Sequence, residues 1–284
     1  MKICVVMVTN KLYLERCLAT IWQLRLFGLY RGEVVLIVGD DLREQIPTLG
    51  RLGLKIIPRY FPEIDRSNQL ERIMGGQGLS GTEESKGFQF HKFYCFDEFF
   101  LKWDRVLYVD AGMRVIRPIR EILELDCSGS LLAHSDAFPT FVWRLENQFN
   151  LVDFPETRDL LGELVPLDSD YFQTTMMYFD TNIIQPQTVQ DLRNLMVQFP
   201  NSRTNDQGII NLWALARNLW KRLPTHNSSG PSYYDFHERN DMETNDYILL
   251  KYPRQPRMRR QFLSDLLFNI YWRLVARRES TLKA

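Results

Sequence analysis

The stretch Trp103-Asp104-Arg105-Val106-Leu107-Tyr108-Val109-Asp110-Ala111-Gly112-Met113 decides how the rest of the chain is read. Arg105 opens a short strand whose Val106 to Val109 form an apolar run, the pattern of a strand buried on both faces of a parallel sheet. It stops at an acid followed by two small residues. In open α/β sheets ligands bind beyond the carboxyl ends of the strands, so Asp110 stands where a site is expected.

Upstream, Ile3-Cys4-Val5-Val6-Met7-Val8 is another such strand, ended by the polar pair Thr9-Asn10. From Tyr13 to Phe27 apolar residues recur at helical spacing (Leu14, Leu18, Ile21, Trp22, Leu26) until Gly28 breaks the pattern. Val34 to Val38 reads as a strand stopping at Gly39-Asp40-Asp41, Ile46 to Leu52 as a short helix, and Leu54 to Ile57 as a strand closed by Pro58. This alternation predicts a doubly wound α/β sheet. Between it and the opening stretch, Gly75 to Gly81 carries four glycines and no apolar period, so it reads as a loop. No Gly-Lys-Ser/Thr follows, which excludes a phosphate-binding P-loop fingerprint. Gln89 to Leu101 predicts a helix whose Phe90, Phe93, Tyr94, Phe96, Phe99 and Phe100 are too many for one stripe, so it is expected inside the core. Downstream, Tyr171 to Asp180 reads as a strand, and Asp206-Gln207-Gly208 opens a helix through Ala216. No linker divides residues 1–225, which are read as one catalytic domain followed by a C-terminal segment, 226–284.

The bulk numbers bound the function. At 284 residues the chain can bury about three-quarters of its unfolded surface without a stabilising metal or disulfide. Lys and Arg balance Asp and Glu at 35 each, so net charge gives no support to nucleic-acid binding. The four cysteines (Cys4, Cys17, Cys95, Cys127) show no paired metal-binding spacing, and a reducing, cytoplasmic setting is the simpler expectation. No apolar run reaches the roughly 20 residues that span a bilayer, and Met1 leads directly into a strand rather than a signal peptide.

The run from Lys92-Phe93 through Asp110-Ala111-Gly112 resembles the central segment of glycogenin-like, family 8 type glycosyltransferases, in which a helix lysine precedes a strand ending Tyr-Leu-Asp-Ala-Asp. Phe172 to Phe179 and Asn205-Asp206-Gln207-Gly208 are similar to later segments of the same template, in order and approximate spacing. The resemblance implies a GT-A fold, a Rossmann-like single catalytic domain with a mostly parallel central sheet and a C-terminal helical extension. It also implies a nucleotide-sugar donor, a UDP-sugar by preference, and a glycan or glycoconjugate acceptor. Thr9, Asn10 and Asp40 would hold the base and ribose, and Lys92, Asp110, Gly112 and Lys251 the rest of the donor. Asp206 would serve as the carboxylate base of an inverting enzyme, or bind acceptor hydroxyls in a retaining one. As ordinary structure, Asp206 would cap its helix and Asn10 and Asp40 would form turns.

The sequence departs from the template at Gly112, where the family has the acid that ligates a divalent cation. Glycosyl transfer builds negative charge on a leaving diphosphate, and Mn²⁺ or Mg²⁺ is the usual partner. By resemblance Asp110 would be one metal ligand and a C-terminal histidine, His237 or His226, another, although His237-Glu238-Arg239-Asn240 and Lys251-Tyr252-Pro253 are only loosely similar to the family's His-x-x-Gly-x-x-Lys-Pro-Trp. Alternatively Lys251, Arg239 or Lys92 supplies the positive charge without metal.

Residues 257–278 are basic at both ends with Leu263, Leu266, Leu267, Ile270, Tyr271 and Leu274 on one helical face. Such a helix suits an anionic membrane surface, or packs on the catalytic domain or another subunit. Two other functions compete. A sugar-nucleotide nucleotidyltransferase would share the sheet, but needs a Gly-rich basic loop that is missing between Thr9 and Tyr13. A catalytically decayed, glycan-binding relative is the reading that Gly112 favours.

Overall fold

A computed structural model describes residues 1–64, 87–136, 142–224, 232–236 and 247–251. Its centre is a seven-stranded sheet. Strand β1 (Ile3–Thr9) leads into helix α1 (Leu14–Leu26), then β2 (Glu33–Val38), the short helix α2 (Ile46–Gly50) and β3 (Ile56–Tyr60). Next come β4 (Arg105–Val109), β5 (Arg114–Val115), α3 (Arg120–Leu123), β6 (Leu131–Ser135), α4 (Glu156–Leu164) and β7 (Phe172–Asp180). Helices α5 (Thr188–Gln198) and α6 (Asp206–Ala216) precede β8 (Trp220–Arg222), β9 (Ser232–Phe236) and β10 (Tyr247–Lys251). The order across the sheet is β3-β2-β1-β4-β7-β6-β8, in which β7 alone runs against its neighbours. The expected α/β sheet, mostly parallel, is therefore present.

Side chains alternate across a strand, and both faces of this sheet are covered. Cys4, Val6, Val35, Ile37, Val106 and Tyr108 point into one apolar layer, and Val5, Met7, Leu36, Leu107 and Val109 into the other. The second layer is closed by α1 through Cys17, Leu18, Ile21 and Leu24. Helix α1 ends at Leu26, and the chain leaves it through Gly28, where a Cβ would lie 2.7 Å from the carbonyl oxygen of Leu24.

The first layer is closed by α5, α6 and the aromatic segment, and here the expectation of one α-helix from Gln89 to Leu101 is corrected. The segment forms two 3₁₀ helices, Gln89–Phe96 and Glu98–Lys102, parted at extended Asp97, whose side chain accepts from the Phe99 amide. Three residues per turn align positions i and i+3. Phe90, Phe93 and Phe96 then form one row, His91 and Tyr94 a second, and Lys92 and Cys95 a third, all buried. Phe96 packs on Phe179 and Trp213 at ring-centroid distances of 4.9 and 4.8 Å. This geometry accommodates aromatics all round the segment, and it gives Lys92 a row of its own.

Pro58 does not close the third strand but lies within it, opposite Leu36. Strand β3 is at the sheet edge, where a residue without an N–H costs no ladder bond. A further 3₁₀ turn, Asp40–Gln45, follows β2 where the sequence pattern suggested only a turn. The glycine loop at 75–81, Arg239, His226, His237 and the basic segment 257–278 lie outside the described residues.

A small second sheet, β5-β10-β9, pairs Leu249 with Val115 and Leu250 with Arg114, immediately downstream of the Asp110 turn. Ile248 and Leu249 are buried in the α1-side layer. Strand β10 thus belongs to the body formed by the first 225 residues. Leu249→Ala is expected to destabilise the chain by about 2–5 kcal/mol in urea unfolding, the range for emptying a buried leucine site, whereas a loosely attached strand would give a change close to zero.

Candidate functional site

The registers bring the strand ends to one edge. Thr9 is level with Val38, Asp110 donates its amide to the Thr175 carbonyl at 2.9 Å, and Ser135 lies opposite Phe172. Along this edge lie Asp40, Thr9 and Asn10, then Asp110, then Thr174 and Gln173, then Asp136.

Asp110 stands two residues beyond Tyr108 and shares its face, so both point toward the aromatic segment and α6. The Tyr108 hydroxyl donates to Asp110 Oδ1 at 2.5 Å. Lys92 Nζ, from its own 3₁₀ row, lies 3.5 Å from Asp110 Oδ1 and 2.7 Å from Asp206 Oδ2, and donates to Thr174 Oγ1 at 3.1 Å. The Thr174 hydroxyl donates to Asp206 Oδ2 at 3.2 Å. From the other side Lys251 Nζ meets Asp110 Oδ2 at 3.2 Å. Two carboxylates and two ammonium groups thus alternate as Lys251, Asp110, Lys92, Asp206. Lys92 and Asp206 are nearly enclosed, with side chains 8 and 4 % exposed, while Lys251 at 33 % reaches the surface.

Burial and pairing oppose one another at each group. Burial would favour neutral Lys92, but Asp110 and Asp206 outweigh it and raise its pKa. Burial works against ionised Asp110, yet Lys92, Lys251 and the Tyr108 hydroxyl together hold its carboxyl below the usual range. At Asp206 burial wins over Lys92, and the pKa is raised. Two acids within reach of one lysine therefore differ in basicity, the pattern that separates an anchoring carboxylate from a proton-accepting one.

Backbone strain helps to hold Asp206. Asn205, just before α6, adopts φ 53° and ψ −116°, a combination uncommon for a residue with a side chain. It is held there by its side-chain Nδ2 donating to Gln89 Oε1 at 2.7 Å and by the Ser202 hydroxyl donating to its backbone carbonyl at 2.9 Å. Thus Gln89, three residues before Lys92, also fixes the entry to the helix that carries Asp206.

The nucleotide-side candidates are placed at the same edge with local partners. Thr9 is buried and its hydroxyl donates to the Asn10 carbonyl, Asn10 Oδ1 accepts from the Tyr13 amide at 3.1 Å, and exposed Asp40 accepts from the Tyr60 hydroxyl at 2.7 Å. The turn-forming use of Asn10 is thus present. Sequence reasoning missed Thr174, Tyr108, Gln207, Gln173 and Asp136. Gln207 accepts from the Thr174 amide at 3.3 Å, and buried Asp136 accepts from Tyr171 and Gln173. The available signal was polar Gln173-Thr174-Thr175 inside an otherwise apolar strand, and Tyr108 at i−2 from the strand-end acid.

Gly112 has φ +88°, a conformation a carboxylate side chain would adopt only under strain, and its amide donates to Thr20 Oγ1 at 3.1 Å. Among the described residues no three His, Cys, Asp or Glu side chains are grouped to hold a metal ion. A hard dication seeks six or more oxygen ligands, and Asp110, the one carboxylate at this turn among the described residues, has a lysine against each oxygen. The described residues do not fit a Mn²⁺ or Mg²⁺ centre.

Solved structures share this architecture. LgtC, a galactosyltransferase crystallised with donor and acceptor sugar analogs, matches with a TM-score of 0.56 at 11 % identity, over 94 % of each chain. An active-site mutant of LgtC matches with a TM-score of 0.59, again at 11 % identity and over 94 % of each chain. The bifunctional glycosyltransferase WbbM matches at 0.54 and 13 % identity over 90 % of this chain and 46 % of its own. GlyE of Streptococcus pneumoniae TIGR4 matches at 0.50 and 16 % identity over 78 % of this chain and 45 % of its own. The chain therefore spans about half the length of GlyE and WbbM and nearly all of LgtC. No protein-family model and no curated protein sequence matches it. The chain has the GT-A fold of these glycosyltransferases, as the resemblance implied.

Lys92→Met leaves two carboxylates facing each other in a buried site, and a destabilisation of about 3–5 kcal/mol is expected near neutral pH. Its sign with pH follows from proton uptake. Lys92 lowers the pKa of both carboxyls, so without it each titrates higher in the folded variant than in the folded wild type, and protonation relieves the repulsion as pH falls. Urea unfolding at about pH 8 and about pH 5 should show the deficit shrinking toward acid; a deficit that is constant or grows would contradict this arrangement.

Proposed function

We propose that this chain is a glycosyltransferase that moves a sugar from a nucleotide-sugar donor, a UDP-sugar, to a hydroxyl of a glycan or glycoconjugate. The observation that carries the reading is the Lys92 bridge between Asp110 and Asp206, set at the carboxyl edge of a GT-A sheet. LgtC was crystallised with donor and acceptor sugar analogs, which is the kind of ligand pair such an edge accommodates.

In this reading Thr9, Asn10 and Asp40 meet the base and ribose. Asp110 and Lys92 orient the donor sugar, and Lys251 meets the diphosphate. The segment after residue 225 completes the site through Lys251. Asp206 faces the acceptor: Lys92 and Thr174 both engage its Oδ2, so Oδ1 is the oxygen that receives a substrate hydroxyl. The acceptor oxygen bonds to the anomeric carbon and gives its proton to Asp206, whose raised pKa suits it to accept one. The bond from that carbon to the diphosphate breaks, and its electron pair leaves with the nucleoside diphosphate.

The test is a donor panel of UDP-, GDP-, ADP- and CMP-linked sugars, with release of free nucleotide as the readout. A UDP-sugar should be consumed, and Asp110→Asn and Asp206→Asn should each lower turnover by about 100-fold or more with unchanged far-UV circular dichroism. Silence across the whole panel, or variants as active as the parent, would remove this reading.

A further inference from the structure

Among the described residues, the turn that carries Asp110 has cationic side chains against its carboxylate and no grouped cation ligands. Lys92 stands against Oδ1 of Asp110 and Lys251 against Oδ2. At Gly112, where a second ligand would have to stand, the nearest heavy atom to an added Cβ is Cδ of the exposed Arg16, at 3.9 Å. A carboxylate at this position would also be strained by the φ of +88°. Lys251 is fixed to this turn by the chain itself, because β10 pairs with β5, which begins two residues after Gly112.

The roles of the two lysines differ by exposure. Lys92 is enclosed and shared between two carboxylates, so it faces the sugar end of the site and does not reach the rim. Lys251 meets Asp110 from the rim, and an ammonium carries three N–H donors that can bridge an acid and a phosphate at once. An ammonium beside Asp110 offers an incoming diphosphate the same sign of charge that a dication held there would offer. The exchange therefore preserves the electrostatic condition for binding while removing the need for six oxygen ligands.

We propose that Lys251 occupies the place of a bridging divalent cation, tying Asp110 to the donor diphosphate, so that this site binds nucleoside diphosphates and releases them from a sugar without metal. The proposal rests on the nucleotide-sugar reading above. In the transfer step the electron pair of the broken carbon–oxygen bond stays on the diphosphate, and the N–H groups of Lys251 donate to the oxygens on which that charge develops. The proton of the acceptor hydroxyl leaves to Asp206, and no co-reactant is required.

Calorimetry on the full chain with UDP, GDP, ADP and CDP, in EDTA and then in Mn²⁺, tests this. One nucleotide should bind equally well in both conditions. Lys251→Met should weaken that binding by about tenfold or more in EDTA, and Lys251→Arg should restore most of it. Unchanged thermal unfolding of the two variants would separate lost contact from lost fold. Binding that needs Mn²⁺ would overturn the proposal and leave the transferase reading standing, with His237→Ala the next variant to examine. Binding in EDTA that Lys251→Met leaves intact would also overturn it, and failure to bind any nucleotide in either condition would overturn both.

Discussion

Everything at the carboxyl edge depends on one buried ammonium, that of Lys92. Enclosing Asp110 or Asp206 alone would cost several kcal/mol of lost hydration, and enclosing both together would add their repulsion. Lys92, 3.5 Å from one and 2.7 Å from the other, makes the pair tolerable. Lys92 and these two partners come from three separate parts of the chain: the 3₁₀ segment after residue 88, the end of β4 and the start of α6. The site therefore exists only in the assembled fold. Thr174 on β7, donating to Asp206 and accepting from Lys92, brings in a fourth part.

The aromatic packing around the segment is what lets a lysine be buried there at all. A 3₁₀ helix sends side chains out in three rows. Two of them, Phe90 with Phe93 and Phe96, and His91 with Tyr94, are occupied by rings, which leaves the third to carry Lys92 and Cys95. The fixed row sets the height of the ammonium relative to the sheet edge. A regular α-helix would rotate successive positions by a different angle and could not keep the same register of rings and lysine.

Much of this was legible from local pattern. The buried strands β1, β2 and β4 were evident because both faces of each are apolar, and α6 begins at Asp206, where the acid followed by Gln207-Gly208 suggested a start. Asp110, Lys92, Asp206 and Lys251 were each singled out, and the fold brings all four together. What stayed hidden is what local pattern does not encode. The 3₁₀ geometry is a tertiary response to aromatics on every side, and Pro58 is tolerated only because β3 is an edge strand, a property of sheet order. Thr174 and Tyr108 gained their meaning from antiparallel pairing of β4 with β7 and from strand alternation. The pairing of β10 with β5, more than 130 residues apart in sequence, is equally non-local.

Gly112 takes on a different sense in this setting. By sequence it looks like a lost ligand, and hence like a decayed site. Yet loss of function relaxes constraints on every member of a charge network, and an enclosed network with one member missing would be left with an uncompensated charge. Among the described residues the alternation Lys251, Asp110, Lys92, Asp206 is balanced, and the raised pKa of Asp206 beside the lowered one of Asp110 keeps two distinct chemical roles available. The glycine stands in a left-handed turn whose amide is hydrogen-bonded to Thr20, so its backbone conformation is itself a requirement of the turn. A balanced network, a specified turn and a lysine delivered by a paired strand are more economically read as one alternative way of meeting a diphosphate than as three separate accidents of decay.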